Sequence, residues 1–363
     1  MTGPGCVVCV PARNEAAAIP ALIAALGRQA LAEPLRVVVV ANNCTDGTAA
    51  ILRELVGGEA RLALRVIEVA LPPGHAIVGV ARGLAMDAGA AWLREEGMME
   101  GVLVSTDADS VPPPGWIGAI CSAVAAGAEA VGGEIRVAED PAHPAPPWLR
   151  GTLDRVARYW AAVRALAHRL DPVPHDPPPR HGGHTGASLA VTLAAYEAAG
   201  GVPPLASDED NALVAAIERG GGRLRHAPEV WTTVSAREDG RASGGMAEEL
   251  RMWRRLAETG APLCLPDAAH WEAVFRRRRV LRNALGGDID AAARRTGADP
   301  TVLRAIAWES VNDIAFVARA EPVLPALVAC REEITAATLA LEGMTGEFSC
   351  PAVRAGRGES APA

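Results

Sequence analysis

The sequence predicts an α/β protein: a mostly parallel sheet with helices on both faces, followed by a helical C-terminal region. Three observations point there. Between residues 5 and 235, short wholly apolar runs rich in Val alternate with amphipathic stretches at helical spacing. Strands without a polar face belong to sheets covered by helices on both sides. Polar clusters follow these runs abruptly, at the strand ends where open parallel sheets bind ligands.

The elements follow in order. Residues 6–10 (CVVCV) and 35–41 (LRVVVVA) read as buried strands, and 15–30 between them carries Ile19, Leu22, Ile23 and Leu26 on one helical face. The unit repeats as a helix over 48–56, a strand over 62–69 and a helix over 80–94. A buried strand at 101–104 then stops at Ser105-Thr106-Asp107-Ala108-Asp109-Ser110. After Pro112-Pro113-Pro114 come a helix near 116–126 and a strand over 130–137. Residues 139–183 interrupt the pattern: a Pro-rich entry, an amphipathic helix over 148–170, and the loop DPVPHDPPPRHGGH. Long loops of this kind carry function or are disordered. The α/β pattern resumes at Ala187 and runs to about Thr233. The stretch 246–347 reads as mostly helical, with a basic run Arg276-Arg277-Arg278-Arg279, and 352–363 reads as a disordered tail.

Composition narrows the function. Half of the 363 residues are apolar and the formal net charge is -8, which disfavours nucleic acid as a partner. All 35 cationic residues are arginine. With no lysine there is neither a Schiff-base amine nor a P-loop cation for a β/γ-phosphate. The seven cysteines are scattered, and Cys6 and Cys9, three apart in a strand, face opposite sides. They read as small apolar core residues rather than half of a zinc site. The N-terminus lacks the pattern of a signal peptide and no apolar run is long enough to span a bilayer, so a cytoplasmic protein is expected.

Two acidic clusters carry the chemistry. Asp107-Ala108-Asp109, on a turn after a buried strand, can share Mg²⁺ or Mn²⁺ with a diphosphate, since these ions take one or two protein carboxylates and complete their shell with phosphate and water. A turn or cap would use the same residues. Ser207-Asp208-Glu209-Asp210 opens a helix. It suits an N-cap at Ser207 with an acidic first turn as well as a general base.

Order and spacing add to both. Val10-Pro11-Ala12-Arg13-Asn14-Glu15 after the first strand, Asn42-Asn43-Cys44-Thr45-Asp46-Gly47-Thr48 after the second, Asp107-Ala108-Asp109, and Glu209-Asp210 with Leu213 together resemble the family 2 glycosyltransferases over residues 6–233. The resemblance implies a GT-A fold, a nucleotide-diphosphate sugar donor, Mn²⁺ or Mg²⁺, a hydroxyl acceptor and inversion at the anomeric carbon. It places Pro11, Arg13 and Glu15 at the nucleobase, with Asn42 where family members often carry an aspartate for uracil N3–H. It further implies Arg82 near the nucleotide, Asp107 at the ribose, Asp109 at the metal and Asp210 as the base. His226 falls where some GT-A enzymes have a third metal ligand, although a lone His is more often structural.

Asn42 departs from the family aspartate and leaves UDP and GDP sugars both open. The QxxRW motif of processive synthases is missing, so a single-addition enzyme is expected. For the acceptor, Trp148, Trp160, His175 and His181 are candidates, against helix packing for the tryptophans and a solvated loop for the histidines. The C-terminal helices are a candidate homodimer surface. A sugar nucleotidyltransferase, a nucleotide-sugar-binding protein without turnover and a Rossmann oxidoreductase are the competing readings. The first would need a Gly-rich basic loop and the last GxGxxG, where this chain has PARNEA.

Overall fold

The Val-rich runs do form a sheet. The computed structural model of the protein describes residues 5–56, 60–137, 146–234 and 246–346. The expected tail at 352–363 and the Pro-rich entry at 139–145 lie outside the described residues. In the first part, strands and helices alternate: β1 (Cys6–Ala12), α1 (Ile19–Gly27), β2 (Leu35–Asn42), α2 (Thr48–Leu55), β3 (Leu62–Val69), α3 (Val78–Glu95), β4 (Val102–Ser105), α4 (Trp116–Ala125) and β5 (Ala130–Val137). The long α5 (Pro147–Leu170) is followed by a 3₁₀ turn at Gly186–Ser188, β6 (Leu189–Thr192), α6 (Leu193–Ala199), α7 (Glu209–Arg219) and β7 (Leu224–Val234).

The strand order is β3-β2-β1-β4-β6-β5-β7. All neighbours are parallel except β6, which is antiparallel to both β4 and β5. Alternation sorts the side chains. Cys6, Val8 and Val10 pack with Ile19, Leu22 and Ile117 under α1 and α4, while Val7 and Cys9 pack with Met86, Leu93 and Val214 under α3 and α7. Cys6 and Cys9 thus lie on opposite faces, as their spacing requires. Helix α1 starts at Ile19 rather than Glu15, because the chain first turns at Glu15, whose carbonyl accepts from Ala18 and Ile19 N–H (3.0 and 2.9 Å).

Sheet register positions the site. Ser105 at the end of β4 pairs with Leu189, Leu189 with Gly132, and Gly132 with His226, so these four share one row across the sheet. Beyond Gly132 the register with β7 shifts. Gly132 and Gly133 allow the segment leading into β6 to cross the strand closely: a Cβ on Gly132 would lie 2.2 Å from the Gly183 carbonyl oxygen, and one on Gly133 would lie 1.9 Å from Ser188 Oγ.

The C-terminal region holds α8 (Met246–Thr259), β8 (Cys264–Pro266), α9 (Ala268–Ala284), α10 (Ile289–Thr296), α11 (Pro300–Glu309), α12 (Asp313–Ala320), β9 (Arg331–Glu333) and α13 (Ile334–Thr345). Helix α5 of the insertion joins this region: Tyr159, Val163 and Leu166 share a core with Trp253, Phe275 and Leu341. Tyr159 Oη donates to the Pro266 carbonyl (2.6 Å) and accepts from Trp271 Nε1 (2.7 Å). The antiparallel pair β8–β9 is absent from the sequence expectation. Arg282 ties the parts together, reaching Asp171 (3.0 and 3.2 Å) and Asp313 (2.6 Å). Of the basic run, Arg278 holds Glu321 and Arg277 donates to the Pro325 carbonyl, so two of those cations are structural. Among the described residues, no helix is long and apolar enough to cross a membrane.

Candidate active site

The loops after β1 and β2 are laced together. Asn14, in the left-handed region (φ +55°), accepts from Thr45 N–H through Oδ1 (2.7 Å). Asp46 accepts from Ala16 N–H (3.1 Å) and Thr48 N–H (3.0 Å), and Glu15 N–H donates to Thr48 Oγ1 (2.7 Å). Glu15 is buried, Pro11 half-buried, and Arg13 exposed with one bond to the Ala76 carbonyl (3.0 Å). The two adjacent asparagines differ. Asn43, at φ +48°, closes a turn by pairing its amide with both the N–H and the C=O of Leu71 (2.9 Å each). Asn42, the last residue of β2, is 3% exposed and its Oδ1 meets no donor among the described residues. A buried unsatisfied oxygen is costly and demands an explanation.

At the end of β4, Ser105 Oγ donates to the Gly186 carbonyl (2.7 Å) and Thr106 Oγ1 to the Ala187 carbonyl (2.9 Å). Asp107-Ala108-Asp109 then turns, closed by Ser110 N–H to the Asp107 carbonyl (3.1 Å), with both aspartates half-buried. Arg82, from α3, lies beneath them and is 4% exposed. Its Nη2 donates to Asp107 Oδ1 (2.9 Å), Nε to Glu209 Oε1 (2.9 Å), and Nη1 to Ser105 Oγ (2.7 Å) and the Gly186 carbonyl (2.9 Å). Burial works against its charge, but the charges of Asp107 and then Glu209 outweigh burial and raise its pKa.

Helix α7 begins beside this cluster. Its N-cap is Asp208, left-handed at φ +60° and without a side-chain capping bond, so the expected Ser207 cap is not formed. Glu209 turns inward to Arg82, whereas Asp210 stays half-exposed. Asp210 Oδ2 accepts from Gly186 N–H (2.5 Å) and Oδ1 from Asn211 N–H (2.7 Å). Gly186 therefore touches both clusters, accepting from Arg82 and donating to Asp210.

With this arrangement in view, comparison with known proteins is direct. The sequence profile of the family described as "Glycosyltransferase like family 2" matches residues 4–281. The chain belongs to that family. It is a glycosyltransferase of the GT-A fold. Similar solved structures include the Pyrobaculum calidifontis mannosyltransferase PcManGT in complex with GDP-Man and Mn²⁺ (21% identity over 88% of this chain and 86% of that one, TM-score 0.45). S. aureus TarS 1-349 with UDP-GlcNAc is 15% identical over 94% and 92%, TM-score 0.46. Mycobacterium tuberculosis glucosyl-3-phosphoglycerate synthase, in complex with Mn²⁺, UDP and phosphoglyceric acid, is 19% identical over 73% and 83%, TM-score 0.38. No curated protein sequence matches.

The glycosyltransferase does not gather His226 with the two aspartates. Among the described residues no group of three or more His, Cys, Asp or Glu side chains is arranged to hold a metal. Two carboxylates on a turn suit a hard cation that takes the rest of its shell from diphosphate and water. They do not make a preformed three-ligand centre. His226 instead bonds through Nδ1 to Asp176 Oδ2 (2.8 Å), with its Nε2 3.1 Å from His184 Nδ1. Because an ionised carboxylate only accepts, His226 donates through Nδ1 to Asp176.

Asp176 anchors this loop. It also accepts from His226 N–H (2.9 Å), Arg225 (2.9 Å) and Arg180 (3.2 Å). Burial tends to raise its carboxyl pKa, and the hydrogen bond and charge of His226 overcome that and hold it well below the usual range. His181 donates to the Ala227 carbonyl (3.0 Å) and accepts from Gly183 N–H (3.0 Å). Burial, then the neighbouring His226, pushes His181 down to about 4. The Pro-rich loop is thus pinned, and His181 is not a solvated loop residue. Trp160 is 39% exposed on the C-terminal core, edge-on to Tyr159 and Trp271, and Trp148 is partly buried against the same core.

Sequence reasoning missed Gly186, Glu209 as an ion partner, Asp176 and His184. A concavity of about 1170 Å³ among Ala123, Gly127, Arg223 and Asn312 is lined by the acceptor candidate His175 but by none of the nucleotide-side, metal-side or base candidates. It opens at the start of β5 and β7, away from the strand ends where the carboxylates meet.

Proposed function

We propose that this glycosyltransferase moves a sugar from a UDP or GDP donor to a hydroxyl acceptor with inversion, using Asp210 as the general base. One observation carries the reading: Gly186 and Arg82 bring Asp107-Ala108-Asp109 and Asp210 into one hydrogen-bonded cluster at the strand ends.

Asp210 has the position and orientation of a base. Two backbone N–H groups hold its carboxylate on the accessible side of α7. There it takes the proton from the acceptor hydroxyl as that oxygen attacks the anomeric carbon, opposite the departing nucleoside diphosphate. Positioned bases of this kind contribute about 10²–10⁴-fold. Asp109, with Asp107 beside it, would hold Mn²⁺ or Mg²⁺, which when bound supplies Lewis-acid stabilisation of the leaving diphosphate. His226 would have to give up its contact with His184 to join them. Pro11, Arg13 and Glu15 frame the nucleobase side, and Asn42, whose oxygen is unsatisfied but closed from solvent, would meet a base N–H after its side chain rotates outward. Uracil N3–H fits that acceptor, and guanine N1–H does too.

The test is a panel of UDP and GDP sugars with Mn²⁺, read as nucleotide release with water as acceptor. Release from one nucleotide class, suppressed by the matching free nucleotide, is expected. Tight nucleotide binding with no release from any donor would favour a binding protein without turnover.

A further inference from the structure

Arg82 occupies a place that a nucleotide contact does not explain. Four of its bonds end on protein acceptors: Asp107, Glu209, Ser105 and the Gly186 carbonyl. A guanidinium has five N–H groups, so little donor capacity is left for a ligand. The approach is also tight. A Cβ on Gly186 would lie 2.4 Å from Arg82 Cζ, so only glycine lets the loop lie across the guanidinium.

These contacts join four segments distant in sequence: α3, the end of β4, the 3₁₀ turn and the start of α7. Burying the Arg82–Glu209 pair is costly, and its return is a fixed geometry rather than stability. Here the fixed geometry is the separation between the metal-side aspartates and the base. Glu209 and Asp210 are neighbours on α7, about 100° apart around the helix. One is buried on Arg82 while the other is held by Gly186 N–H on the accessible side.

We propose that Arg82 is a positioning residue that sets Asp107 and Asp210 in one frame, and that Glu209 is its counter-ion, not an alternative base. The inference rests on reading Asp210 as the base. Misplacing reacting groups by about 1 Å can cost on the order of 10²-fold in rate. Removing Arg82 should therefore act on kcat, leaving donor KM nearly unchanged.

The experiment follows hydrolysis of UDP-GlcNAc and GDP-mannose with Mn²⁺ by the full chain. Arg82→Ala should lower kcat by about 10²-fold with donor KM within about threefold. Added guanidinium at low millimolar concentration, but not equal NaCl, should restore part of the loss by refilling the vacated site. Glu209→Gln keeps an acceptor for Nε but removes the counter-charge of Arg82, so kcat should fall while the acid limb of the pH–kcat profile stays in place. Asp210→Asn should remove that limb.

A raised KM with unchanged kcat in Arg82→Ala would make Arg82 a nucleotide contact and overturn the proposal. Loss of the acid limb in Glu209→Gln would do the same by making Glu209 the base. Should Arg82→Ala not fold, Arg82→Lys carries the kcat-against-KM comparison, and Glu209→Gln decides independently. Failure of the underlying reading shows separately, as near wild-type turnover in Asp210→Asn.

Discussion

Among the described residues, the Asn42 amide oxygen at the end of β2 is buried and meets no donor, and Arg13 near it is exposed with a single bond to a carbonyl. At the end of β4, Arg82 is matched by two carboxylates, a hydroxyl and a carbonyl, and Asp210 by two backbone N–H groups. One side holds an unmet acceptor closed from solvent, while the other uses its capacity to fix its own shape. The contrast underlies the proposed division of labour, with recognition of the base where the protein is incomplete and preorganised chemistry where it is complete. It also explains why the two neighbouring asparagines cannot be read alike. Asn43 is used up by its turn, and Asn42 is not.

Metal removal should have the largest effect, because the carboxylate side is complete in protein bonds but lacks a counter-charge for the diphosphate. Excess EDTA should bring nucleotide-sugar turnover down to the buffer rate, and Mn²⁺ or Mg²⁺ should restore it. Turnover that persists in chelator would remove Asp107 and Asp109 from metal binding.

A smaller effect probes the second pinned region. Asp176→Ala leaves Arg180, Arg225 and His226 without their shared carboxylate. Breaking a buried pair costs about 3–5 kcal/mol, so the melting temperature should fall by roughly 10 °C. Donor affinity should stay within about twofold of wild type. An unchanged melting temperature would mean that the loop is held by other contacts. Deleting 172–180 is the poorer test of an acceptor role, since it removes this anchor together with the loop.

The smallest effect sharpens the incomplete side. Asn42→Asp replaces a neutral acceptor by a charged one, whose hydrogen bond is about twice as strong. With Mn²⁺ present, calorimetry should show UDP binding tighter by roughly fivefold and the UDP-to-GDP ratio rising. An identical ratio in both proteins would make Asn42 a structural residue despite its orphaned oxygen.

What the sequence makes legible follows the range of the interactions. The parallel strands are visible because continuous apolar runs report burial on both faces, and the Cys6/Cys9 split follows from strand period alone. The antiparallel β6 is only four residues long, and β8 and β9 are three each, too short for any period to show. The acidic clusters are local and therefore readable. Their supports are not: Arg82 meets Glu209 across 127 residues, and Asp176 meets His226 across 50. Gly186 gains its role only because a guanidinium from α3 arrives against it. Resemblance points His226 toward a metal, whereas the carboxylate that engages it, Asp176, sits in a loop with no periodic signal.

The most direct test is the rate at saturating donor of Asp210→Asn against wild type, with Mn²⁺ present and nucleotide affinity measured on the same samples. Asparagine keeps both backbone bonds to the side-chain oxygen possible but removes the basicity. The account predicts a fall in kcat of about 10²–10⁴-fold with unchanged affinity for UDP or GDP. Near wild-type turnover in that variant would contradict it, and would place the base outside the cluster that Gly186 and Arg82 hold together.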